Sequence, residues 1–192
     1  MVPPMSAMDG AEQDRPGDND VGPGERQLSP KDAAKRAAAE AAADLVADGM
    51  VGGLGTGSTV RFLLERLAKR IQSEGLKIRG VATSRDTTVR AESLRIPMLE
   101  LDQVDELAIA IDGTDEVDPG KHLIKGGGGA LTREKLVALA AKRFVVVADI
   151  EKQVELLGLA GPTPAGGWRR LAFRRSCGAK QTASLTPRTT AT

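Results

Sequence analysis

The sequence MVGGLGTGSTVRFLLERLAKRI, residues 50–71, indicates the fold class of this chain. Its start, Met50–Leu54, is a short apolar run that predicts a strand, and a glycine-rich turn follows it. Beyond the turn, apolar residues recur at helical spacing and predict a helix that ends at Gly75. These apolar residues are Val60, Leu63, Leu64, Leu67 and Ile71. A strand that leads through a tight turn into a helix is the repeating step of an α/β protein.

The same alternation of strand and helix extends across residues 29–158. Ser29 followed by Pro30 predicts the start of an alanine-rich helix that runs to Val46. Further strands are predicted at Ile78–Ala82, Leu107–Ile111 and Phe144–Ala148, and further helices at Asp86–Leu94 and Leu131–Lys142. We therefore expect a Rossmann-like α/β domain with a mostly parallel sheet and helices on both faces.

The two ends of the chain differ from this central domain. Residues 1–28 are rich in Pro, Gly and Asp and poor in large apolar side chains, so we expect a disordered acidic leader. Residues 159–192 contain six Lys and Arg residues but no Val, Ile, Asp or Glu. We expect a basic, low-complexity, disordered tail there, in preference to a nucleic-acid-binding segment, because stacking aromatic residues are nearly absent.

The composition narrows the function classes. The formal net charge of +1 gives no reason to expect nucleic acid or a membrane surface as a partner. No apolar run is long enough to cross a bilayer, and the acidic N-terminus is unlike a secretory signal or a transit peptide. The single cysteine, Cys177, excludes an internal disulfide and fits a reducing compartment, so we expect a cytoplasmic protein.

Polar residues follow each of the four predicted strands. The segments are GTGSTV, TSRDTT, DGTDEVD and DIEKQ, in chain order. Because the carboxyl ends of parallel strands share one edge of the sheet, and ligands bind at that edge, four polar loops together predict a site.

The first of these loops, the GLGTGST turn at residues 53–59, favours an anion. Its backbone N–H groups and the helix N-terminus behind them carry partial positive charge. Ser58 stands where a dinucleotide fingerprint requires glycine and where a Walker A loop requires lysine, so a sugar phosphate or a similar small anion fits better. The alternative interpretation is a tight strand-to-helix turn capped by Ser58 or Thr59.

Asp112 and Asp115 lie three residues apart around a glycine. Carboxylates that hydrogen-bond substrate hydroxyls, a divalent metal site and an Asx turn all fit this spacing. We favour the first interpretation and expect no metal, because the only histidine, His122, is isolated.

The segment LIKGGGGALTREK, residues 123–135, places four glycines between a lysine and a helix start. The glycines let chain and ligand approach closely, and Lys125 is suited to stabilising an oxyanion. Glu134 is either a general base or a carboxylate that is favoured at a helix N-terminus.

Four motifs occur in order between Gly53 and Gly158, within a match that covers roughly residues 31–158, namely GLGTGSTV, AIDGTDEVDP, LIKGGGGALTREK and VVVADIEKQVELLG. In sequence and spacing this set resembles ribose-5-phosphate isomerase of the A type. The resemblance implies an aldose–ketose isomerase of the pentose phosphate pathway that interconverts D-ribose 5-phosphate and D-ribulose 5-phosphate through an enediolate. It also implies a homo-oligomer that needs no cofactor or metal.

The resemblance further implies a role for each matching residue. Glu134 would move a proton between C1 and C2 of the sugar. Asp112 and Asp115 would contact the sugar hydroxyls, and Lys125 would offset the developing negative charge. The implied substrate-binding residues are Thr56, Gly57, Ser58, Thr59, Gly113, Thr114, Gly126, Gly127, Gly128, Lys152 and, less directly, Lys35.

The match ends near residue 158. The family continues with a small α+β lid domain and then returns to complete the main sheet, and residues 159–192 match neither part. The abrupt change of composition suggests a frameshift, a retained intron or a truncated gene model. Missing strands would expose a sheet edge and apolar surface, so we expect weak or no turnover from the chain as written.

Other classes of protein use the same fold. A non-catalytic sugar-phosphate sensor of the DeoR type, an interaction protein derived from the isomerase, a coenzyme A transferase and a glucosamine-phosphate deaminase are the alternatives. Residues 1–28 are unsuited to the helix-turn-helix of such a sensor. The ordered motifs, with Glu134 and Lys125 retained, favour the pentose phosphate isomerase.

Overall fold

The computed structural model describes residues 28–158 and, for the backbone, 172–173. The helices are α1 (Pro30–Ala43), α2 (Ser58–Glu74), α3 (Arg85–Ser93) and α4 (Leu131–Leu139), with short 3-10 helices at Leu101–Gln103 and Ile150–Lys152. The strands are β1 (Val51–Leu54), β2 (Arg79–Ala82), β3 (Ile109–Asp112), β4 (Glu116–Val117), β5 (Leu123–Ile124), β6 (Phe144–Val146) and β7 (Ala172–Phe173).

The main sheet has four strands in the order β2-β1-β3-β6, and all of them are parallel. The prediction of a Rossmann-like, mostly parallel α/β fold is confirmed. The parallel order brings the carboxyl ends of all four strands to one edge. It thereby collects the four polar loops that the sequence analysis singled out.

Helices cover both faces of this sheet, as the sequence predicts. Side chains of β3 alternate between the two faces, since Ile109 and Ile111 join one core cluster and Ala110 joins the other. The first cluster is formed mainly with α1 and α2, and the second contains Val137 and Ala138 of α4. Burial of these apolar faces holds the helices on the sheet.

Gly53 in β1 explains how closely α4 approaches the sheet. A Cβ atom at this position would lie 2.4 Å from Cγ1 of Val137 and 2.8 Å from Cβ of Ala110. Both distances are shorter than any ordinary carbon contact, so only glycine permits this packing. The close approach fixes the height of α4, and therefore of Glu134, above the strand ends.

The signals at the helix ends act as the sequence indicates. The Ser29 hydroxyl oxygen accepts a hydrogen bond from the Asp32 N–H at 3.1 Å, and Pro30 begins α1. Gly75 ends α2 in the left-handed conformation with φ of 70°. Among the described residues, no helix combines the length and the apolar composition that crossing a membrane requires.

Several predicted boundaries differ from the structure by a few residues. The helix predicted to reach Lys142 ends at Leu139, because Ala141 forms a bridge with Leu107 and the chain is already extended towards β6. Similarly, β3 continues to Asp112, which pairs with Val146. Asp112 is therefore held by the sheet instead of belonging to a loop.

A small antiparallel sheet, with strand order β4-β5-β7, was not predicted. Its strands have two residues each, which is too short for a period-2 pattern to be visible in the sequence. Ala172–Phe173 falls within the segment predicted as a tail and pairs with β5. The predictions for the leader at residues 1–27 and for the remainder of the tail lie outside the described residues.

Candidate active site

A cavity of about 290 Å³ lies at the carboxyl edge of the main sheet. The loops after β1, β3 and β6, the first turn of α4 and one face of α1 all contribute to its wall. Every residue that the sequence analysis assigned to the site lines this cavity except Asp112; the cavity also contains Lys31, Val147, Ala148 and Asp149. The loop after β2 lies behind the wall.

Three charged side chains meet at the base of the site. Lys125 Nζ lies 2.9 Å from Asp112 Oδ2 and 3.3 Å from Glu134 Oε2. All three side chains are almost completely buried, with 3%, 3% and 6% of their surface exposed. Lys125 also donates a hydrogen bond to the Gly113 carbonyl oxygen at 2.5 Å. The Lys125 side chain thus lies between two buried carboxyl groups.

Burial raises the pKa of Glu134 above its ordinary value. The Lys125 ammonium opposes this shift, and the negative charge of Asp112 adds to it. Glu134 is the fourth residue of α4, and its N–H donates to the Ala130 carbonyl oxygen, so the first helical turn fixes its backbone. A carboxylate with a raised pKa that lines a cavity is suited to accepting a proton from carbon.

Asp112 lies behind the cavity wall, and its partners are protein groups. Its Oδ1 accepts hydrogen bonds from the Thr56 N–H at 3.0 Å and from the Gly113 N–H at 2.7 Å, while Oδ2 faces Lys125. A Cβ atom on Gly55 would lie 2.1 Å from the same Oδ1. The resemblance implied that Asp112 contacts sugar hydroxyls. That contact stays a prediction, and in the structure this carboxylate joins the turn after β1 to the buried lysine.

The turn at Thr56–Thr59 leads directly into α2, with Gly57 at φ of 110° and no side chain capping the helix. Thr56 Oγ1 lies 2.7 Å from the hydroxyl of Thr83, which is 2% exposed. The Thr87 hydroxyl donates to the Gly55 carbonyl oxygen at 2.7 Å. The first residues of the uncapped helix, Ser58 and Thr59, thus line the cavity on a turn that is held from behind.

Thr83 and Thr87 belong to the TSRDTT segment, which the sequence analysis noted without assigning roles. Their contribution is to support the turn through contacts with Thr56 and Gly55, which only the folded chain brings together. Their position directly after a strand was the only available signal.

The glycine segment after β5 forms a tight turn. Gly126 and Gly129 have φ of 95° and 84°, a region that side chains disfavour, and the Gly129 N–H donates to the Gly126 carbonyl oxygen. The Gly127 N–H donates to Asp115 Oδ2 at 2.7 Å. Asp115 therefore lines the cavity and also anchors the turn that separates Lys125 from Glu134.

Three lysines lie in the cavity wall, and we call them the lysine cluster: Lys31 and Lys35 on α1, and Lys152 on the Ile150–Lys152 helix. Lys31 and Lys35 are four residues apart and lie on the same helix face. Lys31 was missed by the sequence analysis, although its spacing from Lys35 was a usable signal. Lys31 Nζ forms a hydrogen-bonded ion pair with Glu151.

Asp112, Asp115 and Glu134 each contact a protein group, whereas Oδ1 of Asp149 is buried without a hydrogen-bond partner. Among residues 28–158, no three His, Cys, Asp or Glu side chains come together in a way that could hold a metal ion. His122, which the sequence left isolated, pairs with Asp118 in the turn between β4 and β5, with Nδ1 and Oδ2 2.8 Å apart. It takes no part in the cavity wall.

The chain is similar to proteins of known identity. The family model for ribose 5-phosphate isomerase A (phosphoriboisomerase A) matches residues 79–165. Ribose-5-phosphate isomerase A of Gluconobacter oxydans is 50% identical over 145 residues, which cover 72% of this chain and 61% of that protein. Ribose-5-phosphate isomerase A 1 of Oceanobacillus iheyensis is 54% identical over 106 residues, which cover 55% of this chain and 47% of that protein.

Solved structures of ribose 5-phosphate isomerases are also similar to this chain. The ribose 5-phosphate isomerase A of Methanocaldococcus jannaschii superimposes with a TM-score of 0.66 at 42% identity, covering 69% of this chain and 59% of that one. A D-ribose-5-phosphate isomerase in complex with phospho-erythronic acid superimposes with a TM-score of 0.64 at 42% identity, covering 65% and 55% of the two chains. The chain spans about half the length of the curated relatives that it matches.

Proposed function

We propose that this chain, which is a relative of ribose 5-phosphate isomerase A, interconverts D-ribose 5-phosphate and D-ribulose 5-phosphate. The observation that carries the proposal is the buried contact of Lys125 with Glu134 in a cavity that also contains the lysine cluster. One part of the wall thus offers a base beside a cation, and another part offers charge for a phosphate. A phosphorylated sugar with a reactive carbonyl needs both.

In the proposed reaction, Glu134 removes the proton on C2 of the open-chain aldose. The electron pair of the broken C–H bond forms a C1–C2 double bond, and the carbonyl oxygen on C1 becomes the oxygen of an enediolate. Return of the proton to C1, with transfer of a hydroxyl proton from O2 to O1, gives the ketose. C1 is reduced as C2 is oxidised, so the balance needs no external oxidant, reductant or cofactor.

Lys125 would stabilise the oxyanion as it forms. Its ammonium lies beside the base, and burial strengthens its attraction for a developing negative charge. The turn at Gly126–Gly128 would add backbone donors close to the reacting atoms. Asp115, which lines the cavity beside Gly127, is the proposed partner for the hydroxyl proton. Asp112 acts in this scheme by holding Lys125.

The phosphate would bind at Lys35, at Lys152 and at the turn Thr56–Thr59. Ammonium groups and uncapped helix N–H groups are both suited to a dianion. The related isomerase in complex with phospho-erythronic acid supports a phosphorylated sugar derivative as the ligand class. Binding the phosphate away from the reacting carbons would hold the sugar in register.

We also propose a cytoplasmic location and a homo-oligomeric state. The support is the single cysteine, together with the resemblance on which the oligomer was expected. Size-exclusion chromatography with light scattering measures the mass directly. A monomer at micromolar concentration would contradict the second proposal.

The test is an isomerase assay of the full chain with Glu134→Gln. Gln keeps the size of the side chain but cannot accept the proton, so kcat should fall about 10²- to 10⁴-fold. The matched control is Glu92→Gln, which makes the same change at an exposed position of α3 and should retain the full rate. Equal rates for the wild type and Glu134→Gln would exclude Glu134 as the base, and a wild type that forms no ribulose 5-phosphate would refute the function.

A further inference from the structure

Lys31 lines the cavity but lies outside every motif that led to the proposed function. It is the second residue of α1, one helical turn before Lys35, so the two side chains leave the helix on the same face. The rise between them is about 6 Å along the helix axis. This spacing allows both ammonium groups to reach a single bound anion.

Lys31 forms its ion pair with Glu151, which lies 120 residues away in sequence. Glu151 is the neighbour of Lys152 on the same 3-10 helix. Its pKa is lowered, first by the hydrogen bond from Lys31, then by the charge of Lys31, and further by the charges of Lys152 and Lys35. All three lysines of the cluster therefore act on Glu151, and Lys31 is the one that contacts it.

The ion pair of Lys31 and Glu151 is suited to replacement of Glu151 by another anion. Its side chains are 51% and 63% exposed, and ion pairs that are open to water add little to stability. A phosphate dianion offers a lysine more charge and three acceptor oxygens, and charge-assisted hydrogen bonds to it are strong. The pKa of Lys31 is raised, chiefly by the hydrogen bond with Glu151, so its side chain remains a cation.

We propose that Lys31 is a further phosphate-contacting residue, which exchanges Glu151 for the phosphate group when a phosphorylated sugar binds. This inference rests on the proposed function and adds a residue to its binding site. Glu151 then competes with the ligand, and it directs the lysine towards the cavity. Lys35, whose Nζ lies 3.8 Å from Asp32 Oδ1, and Lys152 complete the cluster.

The rival explanation is that the pair only ties α1 to the Ile150–Lys152 helix. The two explanations differ in what Glu151→Gln does. If the pair is only structural, loss of either partner has the same effect on ligand binding. If Lys31 contacts phosphate, loss of Lys31 weakens binding, whereas loss of the competing carboxylate leaves binding unchanged or strengthens it.

The experiment is an NMR titration of the full chain with inorganic phosphate, carried out on the wild type, Lys31→Met, Glu151→Gln and Lys69→Met. Lys69 is an exposed lysine of α2 away from the cavity, so Lys69→Met removes the same charge as a matched control. We expect Lys31→Met to bind phosphate about three- to tenfold more weakly, and Lys69→Met to match the wild type. We expect Glu151→Gln to bind at least as tightly as the wild type.

The inference is overturned if Lys31→Met binds phosphate as well as Lys69→Met does, if Glu151→Gln weakens binding as much as Lys31→Met, or if the wild type does not bind phosphate. The isomerase assay of the wild type and Glu134→Gln tests the proposed function separately. Isomerisation that persists with an unaltered KM in Lys31→Met removes the role of Lys31 alone. Phosphate binding without isomerisation refutes the function and leaves the binding role intact.

Discussion

Lys125 Nζ lies 3.3 Å from Glu134 Oε2, although the turn at Gly126–Gly129 separates the two residues along the chain. The positive φ angles of Gly126 and Gly129 reverse the chain, so that the end of β5 and the start of α4 face each other. A proposed base and a proposed oxyanion stabiliser are thereby placed side by side in a buried site. This contact makes the chemistry of the site sensitive to pH.

The first prediction concerns the acid limb of the pH–rate profile. Because burial raises the pKa of Glu134, the carboxylate acquires its proton at a pH above the ordinary glutamate value of 4.5. A protonated carboxyl group cannot act as the base, so kcat/KM should fall as the pH is lowered through this raised value. The measurement is kcat/KM for ribose 5-phosphate across the acidic range. An acid limb at or below pH 4.5 would contradict the prediction.

The second prediction concerns stability. Activity should rise with pH as Glu134 loses its proton, whereas the contribution of Glu134 to stability should fall. A group whose pKa is higher in the folded than in the unfolded state binds more protons when folded, so its stabilising contribution is complete below the unfolded value and is lost as the pH rises through the folded value. The free energy of unfolding of the wild type, relative to Glu134→Gln, should therefore decrease as the pH rises above 4.5. Urea unfolding at several pH values measures this difference. A difference that grows with pH would show that the pKa of Glu134 is lowered.

A third prediction tests how strongly the buried charges are coupled. Lys125→Met leaves Asp112 and Glu134 without their cation, and loss of one partner from a buried ion pair costs about 3–5 kcal/mol of stability. Asp112→Asn in the same chain removes one of the two uncompensated carboxylates but can still accept the N–H groups of Thr56 and Gly113. The double variant should recover part of the loss, with a coupling energy of about 0.5–3 kcal/mol.

Urea unfolding of the two single variants and the double variant completes this cycle. Losses that simply add would mean that Asp112 and Lys125 do not act as a pair. The assay provides a second measurement, because removal of an oxyanion-stabilising group should lower kcat about 10²- to 10³-fold.

Much of the fold could be predicted because its signals are local. The apolar runs of β1 and β3 and the helical spacing in α2 are visible within a few residues, and the alternation of strands with helices implies a parallel sheet. That sheet alone collects the polar loops at one edge. The strands β4 and β5 were missed because two residues show no period.

The remaining features of the site depend on contacts between distant residues. Asp112 lies behind the wall because the Thr56 N–H and Lys125 hold it there, and neither contact is encoded in the spacing of Asp112 and Asp115. Lys31 meets Glu151 only after α1 has packed beside the end of β6. The sequence indicated which residue types form the site. The packing of the sheet determines which of these residues face the cavity.

A fourth prediction concerns the close approach of Gly55 to Asp112. In Gly55→Ala, the new Cβ would lie 2.1 Å from Asp112 Oδ1 and 2.6 Å from its Cα, so the backbone has to move. We expect a loss of stability of about 1–3 kcal/mol, as is usual for overpacking, with weaker substrate binding because the turn Thr56–Thr59 moves too.

Gly128→Ala is the matched control for this change. A Cβ atom at Gly128 would meet nothing within 4 Å, so its stability should stay within about 0.5 kcal/mol of the wild type. Thermal or urea unfolding of both variants provides the comparison. Equal stabilities for Gly55→Ala and Gly128→Ala would mean that Asp112 is not held against the turn.

The last prediction tests the support behind the turn Thr56–Thr59, which is the proposed phosphate-binding turn. Thr83→Val replaces a buried hydroxyl with a methyl group of similar size and leaves the Thr56 hydroxyl without its partner at 2.7 Å. Loss of one hydrogen bond reduces the stability of the turn conformation by about 0.5–1.5 kcal/mol. KM should therefore rise about two- to tenfold, while kcat changes little. Thr83→Ser retains the hydroxyl and should keep KM near the wild-type value. If Thr83→Ser raises KM as much as Thr83→Val does, the loss comes from packing around the Thr83 methyl group, and the hydroxyl contact does not position Thr56.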